Sequence, residues 1–175
     1  MSVTATTDPA GGDLPVEIER KFLLRSCPPV AAATPPLVVE QGWIPGTAIH
    51  ERLRRTVSPD GAVTLWRTIK LGHGVTRVEV EEAVPSALFD ALWALTRDAR
   101  VRKRRHVVPD GALRWEIDVF TDRDLIVTEI ELEHADASMA FPDWLAPYME
   151  REITDDPAFL NYTLARPDPL PPPPS

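Results

Sequence analysis

VEIERKFLL, Val16 to Leu24, decides how the chain is read. Glu17, Glu19 and Lys21 alternate with Val16, Ile18, Arg20 and Phe22. Residues two apart share a face of a β-strand, so one face of this strand carries three charges and the other is mostly apolar. The pattern returns along the chain. Arg52 and Arg54 share a face, as do Arg77, Glu79 and Glu81, then Lys103 and Arg105, Glu116 and Asp118, and Glu129 and Glu131. Lys70 stands near the end of its own strand. The opposite faces are mixed but often apolar, with Leu53, Leu65, Ile69, Val80, Trp115, Ile117, Ile130 and Leu132.

Period-two patterning predicts eight strands, at 16–24, 38–44, 49–57, 62–70, 75–83, 101–108, 112–120 and 125–133. Pro45-Gly46, Ser58-Pro59-Asp60-Gly61, Gly72-His73-Gly74 and Pro109-Asp110-Gly111 supply turns. A helix is expected after Pro85, with Leu88, Phe89, Leu92 and Leu95 on one face. Asp156-Pro157 reads as the cap and first turn of a last helix carrying Phe159, Leu160 and Leu164. Strands joined mostly by short turns point to a mainly β fold: an antiparallel sheet closed into a β-barrel, flanked by a few helices. Closure removes the exposed edges.

Two arrangements of such a barrel fit the alternation. In one, the charged faces are a solvated exterior around an ordinary core. In the other, the charges line a wet lumen and helices cover the apolar exterior. Two observations favour the second. Charged pairs recur on nearly every strand, with carboxylates and cations on different strands. The helix after Pro85 and the segment around Phe141, Trp144 and Leu145 also need an apolar surface to cover. Unpartnered buried charges cost several kcal/mol each, so such a lumen must hold water, cross-pair its charges or bind ions. Clustered carboxylates suit a hard divalent cation. Clustered Arg and Lys suit a polyanion such as phosphate.

The chain has 175 residues and a net charge of −8. That acidity disfavours broad binding to nucleic acid or to an anionic membrane. No apolar run is long enough to span a bilayer. Cys27 is the only cysteine, which fits a reducing compartment. A cytoplasmic protein is therefore expected, in any oligomeric state including a homodimer. Residues 1–14 and the proline-rich 167–175 read as tails around one domain, 15–166. His50, His73, His106 and His134 lack a ligand spacing and read as surface residues.

Glu17-Ile18-Glu19-Arg20-Lys21 resembles the ExExK motif of the CYTH superfamily, the triphosphate tunnel metalloenzymes. The ordered series from Arg52-x-Arg54 to Glu129-x-Glu131 supports the likeness across roughly residues 15–166. The pieces EQGWI, WEIDVF, TEIELE and REITDDPAFLNYTLA look like its short bacterial branch. The resemblance implies an eight-stranded tunnel that holds a triphosphate and a divalent metal, Mg²⁺ or Mn²⁺. It also implies hydrolysis of a triphosphate-containing small molecule, above all inorganic tripolyphosphate to pyrophosphate and phosphate. Adenylate cyclases belong to the same superfamily, so cyclic AMP formation is the rival activity. A non-catalytic polyphosphate- or nucleotide-binding module is a third reading.

Carried onto this sequence, the resemblance gives Arg52, Arg54, Lys70, Lys103 and Arg105 to phosphate oxygens, assisted by Lys21 and Arg77. Glu129 and Glu131 are expected to hold the metal, supported by Glu79 and Glu81. Asp118, with Glu116, is expected either to ligate it or to hold the basic residues in place. Glu17 and Glu19 are expected to position the attacking water. Some relatives use a lysine–tyrosine dyad to activate that water. Here Lys70 matches the lysine, and Trp43 stands where many relatives have tyrosine.

Overall fold

The structure, a computed structural model, describes residues 18–46, 50–71, 78–134, 137 and 139–166. Nine strands form one antiparallel sheet: β1 (Ile18–Leu24), β2 (Leu37–Ile44), β3 (His50–Val57), β4 (Val63–Leu71), β5 (Val78–Ala83), β6 (Arg100–Asp110), β7 (Leu113–Phe120), β8 (Ile126–Leu132) and β9 (Met149–Glu152). Their order across the sheet is β5-β4-β3-β2-β6-β7-β8-β1-β9. The eight expected strands are present, some with shifted ends; β6 runs through Pro109 and Asp110 before the turn at Gly111. The predicted turn Gly72-His73-Gly74 and the expected tails 1–14 and 167–175 lie outside the described residues.

The sheet is not closed, which corrects the expected barrel. β5 and β9 are its two edges, and no ladder joins them among the described residues. The physical reason lies at β1. Its outer edge is taken by β9, which pairs Glu152 with Phe22 and Arg151 with Leu23. Those backbone groups are then not available to β5. The ninth strand is four residues, MERE, short and charged, as a protected edge often is.

The sheet carries apolar layers outside the charged side. Phe22, Leu24, Val108, Trp115, Ile117, Ile130 and Leu132 face away from the charges and pack under helix α1 (Pro29–Ala32) and Leu145. Phe141 closes that layer, with its ring 5.0 Å from Phe22 and 5.9 Å from Trp115. Helix α2 (Ser86–Trp93) covers Leu53 and Leu65 of the other half. Its buried face is Phe89, Leu92 and Trp93; Leu88 and Leu95, expected on that face, are exposed. The rings of Phe89 and Trp93 stack 5.4 Å apart. Gly42 of β2 is where the following 3₁₀ turn, Ala94–Thr96, approaches closest. A Cβ there would lie 2.5 Å from Thr96 Oγ1 and 2.8 Å from Thr96 Cβ.

A third layer lies on the charged side itself. Trp43, Val101, Phe120 and Val127 meet Ile153 and Ala165, with Leu23, Phe159, Tyr162 and Leu164 against them. Asp156 caps the C-terminal segment as expected, accepting from the Ala158 N–H. The helix itself is broken at Leu160 into a 3₁₀ turn, Pro157–Phe159, and α3, Asn161–Leu164. His106 corrects another expectation: it is buried, and its Nδ1 lies 2.8 Å from the Thr34 carbonyl oxygen, tying β6 to the loop after α1.

Candidate active site

Strand register brings the charged positions to one side of the sheet. Across β1–β8, Glu19 faces Glu131 and Lys21 faces Glu129. Across β8–β7, Glu129 faces Glu116, and across β7–β6, Asp118 faces Arg105. On the other half, Arg52 faces Thr68, Thr68 faces Glu81, and Lys70 faces Glu79. Arg105 of β6 and Lys21 of β1 both meet the Glu129 carboxylate, at 2.6 and 2.5 Å. Three ladder steps separate those strands, roughly 14 Å on a flat sheet. The charged side is therefore concave.

The centre of this concavity is a cross-paired cluster. Arg105 donates to Asp118 through Nε at 2.7 Å and Nη2 at 2.6 Å. Its Nη2 also reaches Glu129 at 2.6 Å, and its Nη1 donates to Glu116. Lys103 donates to Asp118, and both side chains are fully buried. The Lys21 ammonium lies 2.5 Å from Glu129 Oε1, an ion pair without ideal hydrogen-bond angles. Charges this deep persist only when paired.

Burial pulls the Lys103 ammonium down from the usual lysine range, and the neighbouring Arg105 adds to it. Burial acts the same way on Lys21, but the carboxylates of Glu129 and Glu19 outweigh it and leave Lys21 raised. For Glu129, burial opposes ionisation, yet Lys21, Lys103 and Arg105 together hold it well below the carboxylate range. Glu19 goes the other way. Surrounding protein and then the Glu129 charge push it up to about 7. Its side chain nonetheless opens to water, so solvent screens part of that effect.

The second cluster spans β3, β4 and β5. Glu81 accepts two bonds from Arg54, at 2.9 and 3.0 Å, and one from Thr68 at 2.9 Å. Arg52 donates to Thr68 at 3.0 Å and lies 3.4 Å from Glu81. Lys70 and Glu79 are placed here by backbone register. Glu17 and Arg77 lie outside the described residues. Asp118 and Glu81, expected near a metal, each pair with the cations beside them. Thr68 was not singled out from sequence, although it sits two residues before Lys70 on the same strand face. Gln41 was missed too; it is buried opposite Arg54 with its Oε1 unpartnered. Trp43 lies in the apolar layer at one end of the concavity, its ring 6.3 Å from Tyr162.

No family model matches the chain. It is 34% identical over 157 residues to an inorganic triphosphatase of Nitrosomonas europaea, spanning 85% of this chain and 96% of that protein. It is 28% identical over 153 residues to an inorganic triphosphatase of Acetivibrio thermocellus, spanning 86% of this chain and 93% of that one. A crystal structure of an inorganic triphosphatase superposes with a TM-score of 0.63 at 28% identity, over 90% of this chain and 99% of its own. A Pyrococcus horikoshii protein shares the fold with a TM-score of 0.51 at 16% identity, over 75% of this chain and 82% of its own. With near full-length similarity on both sides, the chain belongs to the family of inorganic triphosphatases.

Proposed function

We propose that this protein hydrolyses inorganic tripolyphosphate to pyrophosphate and phosphate on the concave charged side of its sheet, with the help of a divalent cation, as a member of the CYTH superfamily. The observation that carries the reading is the convergence of two cation groups, Arg52 with Arg54 and Lys103 with Arg105, on a side that also gathers carboxylates. A linear polyanion matches the first set. The relatives named above supply the reaction class.

The donor set suits Mg²⁺ or Mn²⁺. Glu19 and Glu131 face each other across β1–β8, and neither makes an ion pair among the described residues. Like charges directly opposite repel, so a shared cation relieves a cost built into the register. No cluster of three acidic, His or Cys groups is preformed among the described residues. Mg²⁺ commonly takes only one or two carboxylates and completes its shell with water and substrate phosphates. Glu129 and Glu131 would hold it, supported by Glu79 and Glu81. The ion supplies Lewis-acid neutralisation of phosphoryl oxygens.

The remaining work belongs to side chains. Arg52, Arg54, Lys70, Lys103 and Arg105 bind phosphate oxygens, with Lys21 and Arg77 assisting. Asp118 and Glu116 hold Lys103 and Arg105 at fixed positions, so little reorganisation is needed when substrate binds. Glu17 and Glu19 position the attacking water. Phosphoryl transfer depends mainly on such positioning and charge stabilisation.

The test is incubation with tripolyphosphate, ATP and thiamine triphosphate in EDTA, Mg²⁺ or Mn²⁺, with every product identified. Phosphate release from tripolyphosphate, dependent on metal and lost in Arg54→Ala and Glu131→Ala, is the expected result. Cyclic AMP from ATP would transfer the chain to the cyclase reading, and binding without turnover would make it a binding module.

A further inference from the structure

A basic depression of about 370 Å³, sharing no lining residue with the charged clusters of the concavity, is lined by Arg97, Arg100, Arg123 and Arg166 with Asp98, Leu164 and Ala165. Four arginines around one aspartate form an unusual surface in a chain of net charge −8. Their commitments differ. Arg123 is neutralised by Asp122, which accepts its Nε and Nη2 at 3.0 Å each, and it also donates to the Leu164 carbonyl. Arg100 is pinned by neutral groups: its Nε donates to Thr96 Oγ1 at 2.9 Å and its Nη2 to the Trp93 carbonyl at 2.6 Å. It makes no ion pair among the described residues, and burial with nearby Arg102 lowers its pKa, offset in part by Glu40 and Asp98. Arg97 and Arg166 make no ion pair among the described residues; Arg166 lies over the Tyr162 ring at 4.3 Å.

We propose that this depression is an accessory site for a small inorganic phosphate anion, orthophosphate or pyrophosphate. Guanidinium groups bind such oxyanions through paired N–H donors. The lining also argues against a nucleotide. The rings of Trp93 and Tyr162 each carry a lining arginine over one face, Arg100 and Arg166, each 4.3 Å away. None of the lining residues is aromatic, so the depression offers no ring for a base to stack on. A bound anion would join the segment 97–100 to 164–166, which borders the apolar layer containing Leu164 and Ala165.

The site stands independently of the hydrolytic reading. Backbone amide spectra of the full chain are recorded during titration with orthophosphate, pyrophosphate and ATP, with chloride at matched ionic strength as control. Saturable shifts at Asp98–Arg100 and Leu164–Arg166 are expected with the two inorganic anions, in wild type and in Arg54→Ala, which weakens the concave side. Arg97→Gln/Arg166→Gln should weaken that binding at least about tenfold while leaving tripolyphosphate hydrolysis unchanged. Arg97→Gln alone, at an exposed position, should give a smaller loss without risk to folding. Shifts confined to β1, to residues 103–105 of β6 and to β7 and β8, equal shifts with chloride, tighter binding of ATP than of pyrophosphate, or an unchanged affinity in the double variant would each overturn the proposal.

Discussion

Asp118 holds Lys103 and Arg105 at once, with no surface of its own in water. Asp118→Asn leaves two cations in that pocket short of a counter-charge. Breaking a buried pair costs about 3–5 kcal/mol, and urea denaturation should register a loss of that order. A midpoint equal to wild type would mean the pocket is wetter than its geometry indicates. Glu19 gives the opposite sign. Its folded pKa, about 7, exceeds the ordinary 4.5. Between those values the folded state holds the extra proton, so stability falls as pH rises through the window. In EDTA, Glu19→Gln should flatten that decline and stabilise the fold at pH 8 by under about 1 kcal/mol, because the side chain is open to water, and a thermal melt should show the gain as a higher melting temperature. The same variant should lose hydrolytic activity. Among single residues, the alternating charges were legible because β geometry leaves a side chain only two directions. The pairing of Asp118 with cations was not, since the register that sets Asp118 beside Lys103, 15 residues away, cannot be read from either strand alone.

Elements with strong alternation, such as WEIDVF within β7, declared themselves in the sequence. β9 did not, because Met149-Glu150-Arg151-Glu152 has no apolar alternation and owes its extension to the edge of β1. α1 is a single turn around buried Ala31, too short for a helical period to show. In α2 the apolar residues exceed what one face needs, and contact with Leu53 selects Phe89 and Leu92 while Leu88 stays in water. The tightest joint between elements is testable at Gly42. Gly42→Ala sets a methyl 2.5 Å from Thr96 Oγ1 and 2.9 Å from Trp93. Overpacking typically costs about 1–3 kcal/mol, and a thermal melt should show a loss in that range. An unchanged melt would mean that the 3₁₀ turn after α2 yields freely.

For the whole molecule, the charged concavity makes stability depend on what fills it. A ligand that binds only the folded state adds about 2.7 kcal/mol at a hundred times its dissociation constant. Tripolyphosphate with Mg²⁺ should therefore raise the melting temperature, and EDTA should remove most of the gain. An identical shift with Arg54→Ala and Glu131→Ala would place the ligand elsewhere. No helix among the described residues is long and apolar enough to cross a membrane.

The apolar layer of Trp43, Phe120, Val127 and Tyr162 fills one end of the concavity. The groove is thus a blind alley. If the concave side is where hydrolysis occurs, as proposed, a phosphate chain would enter and its fragments leave by the open side, and a longer polymer could not be threaded through. Such a site counts units from a chain terminus. Given long polyphosphate, it would trim ends to a fixed length or leave the interior of the polymer uncut.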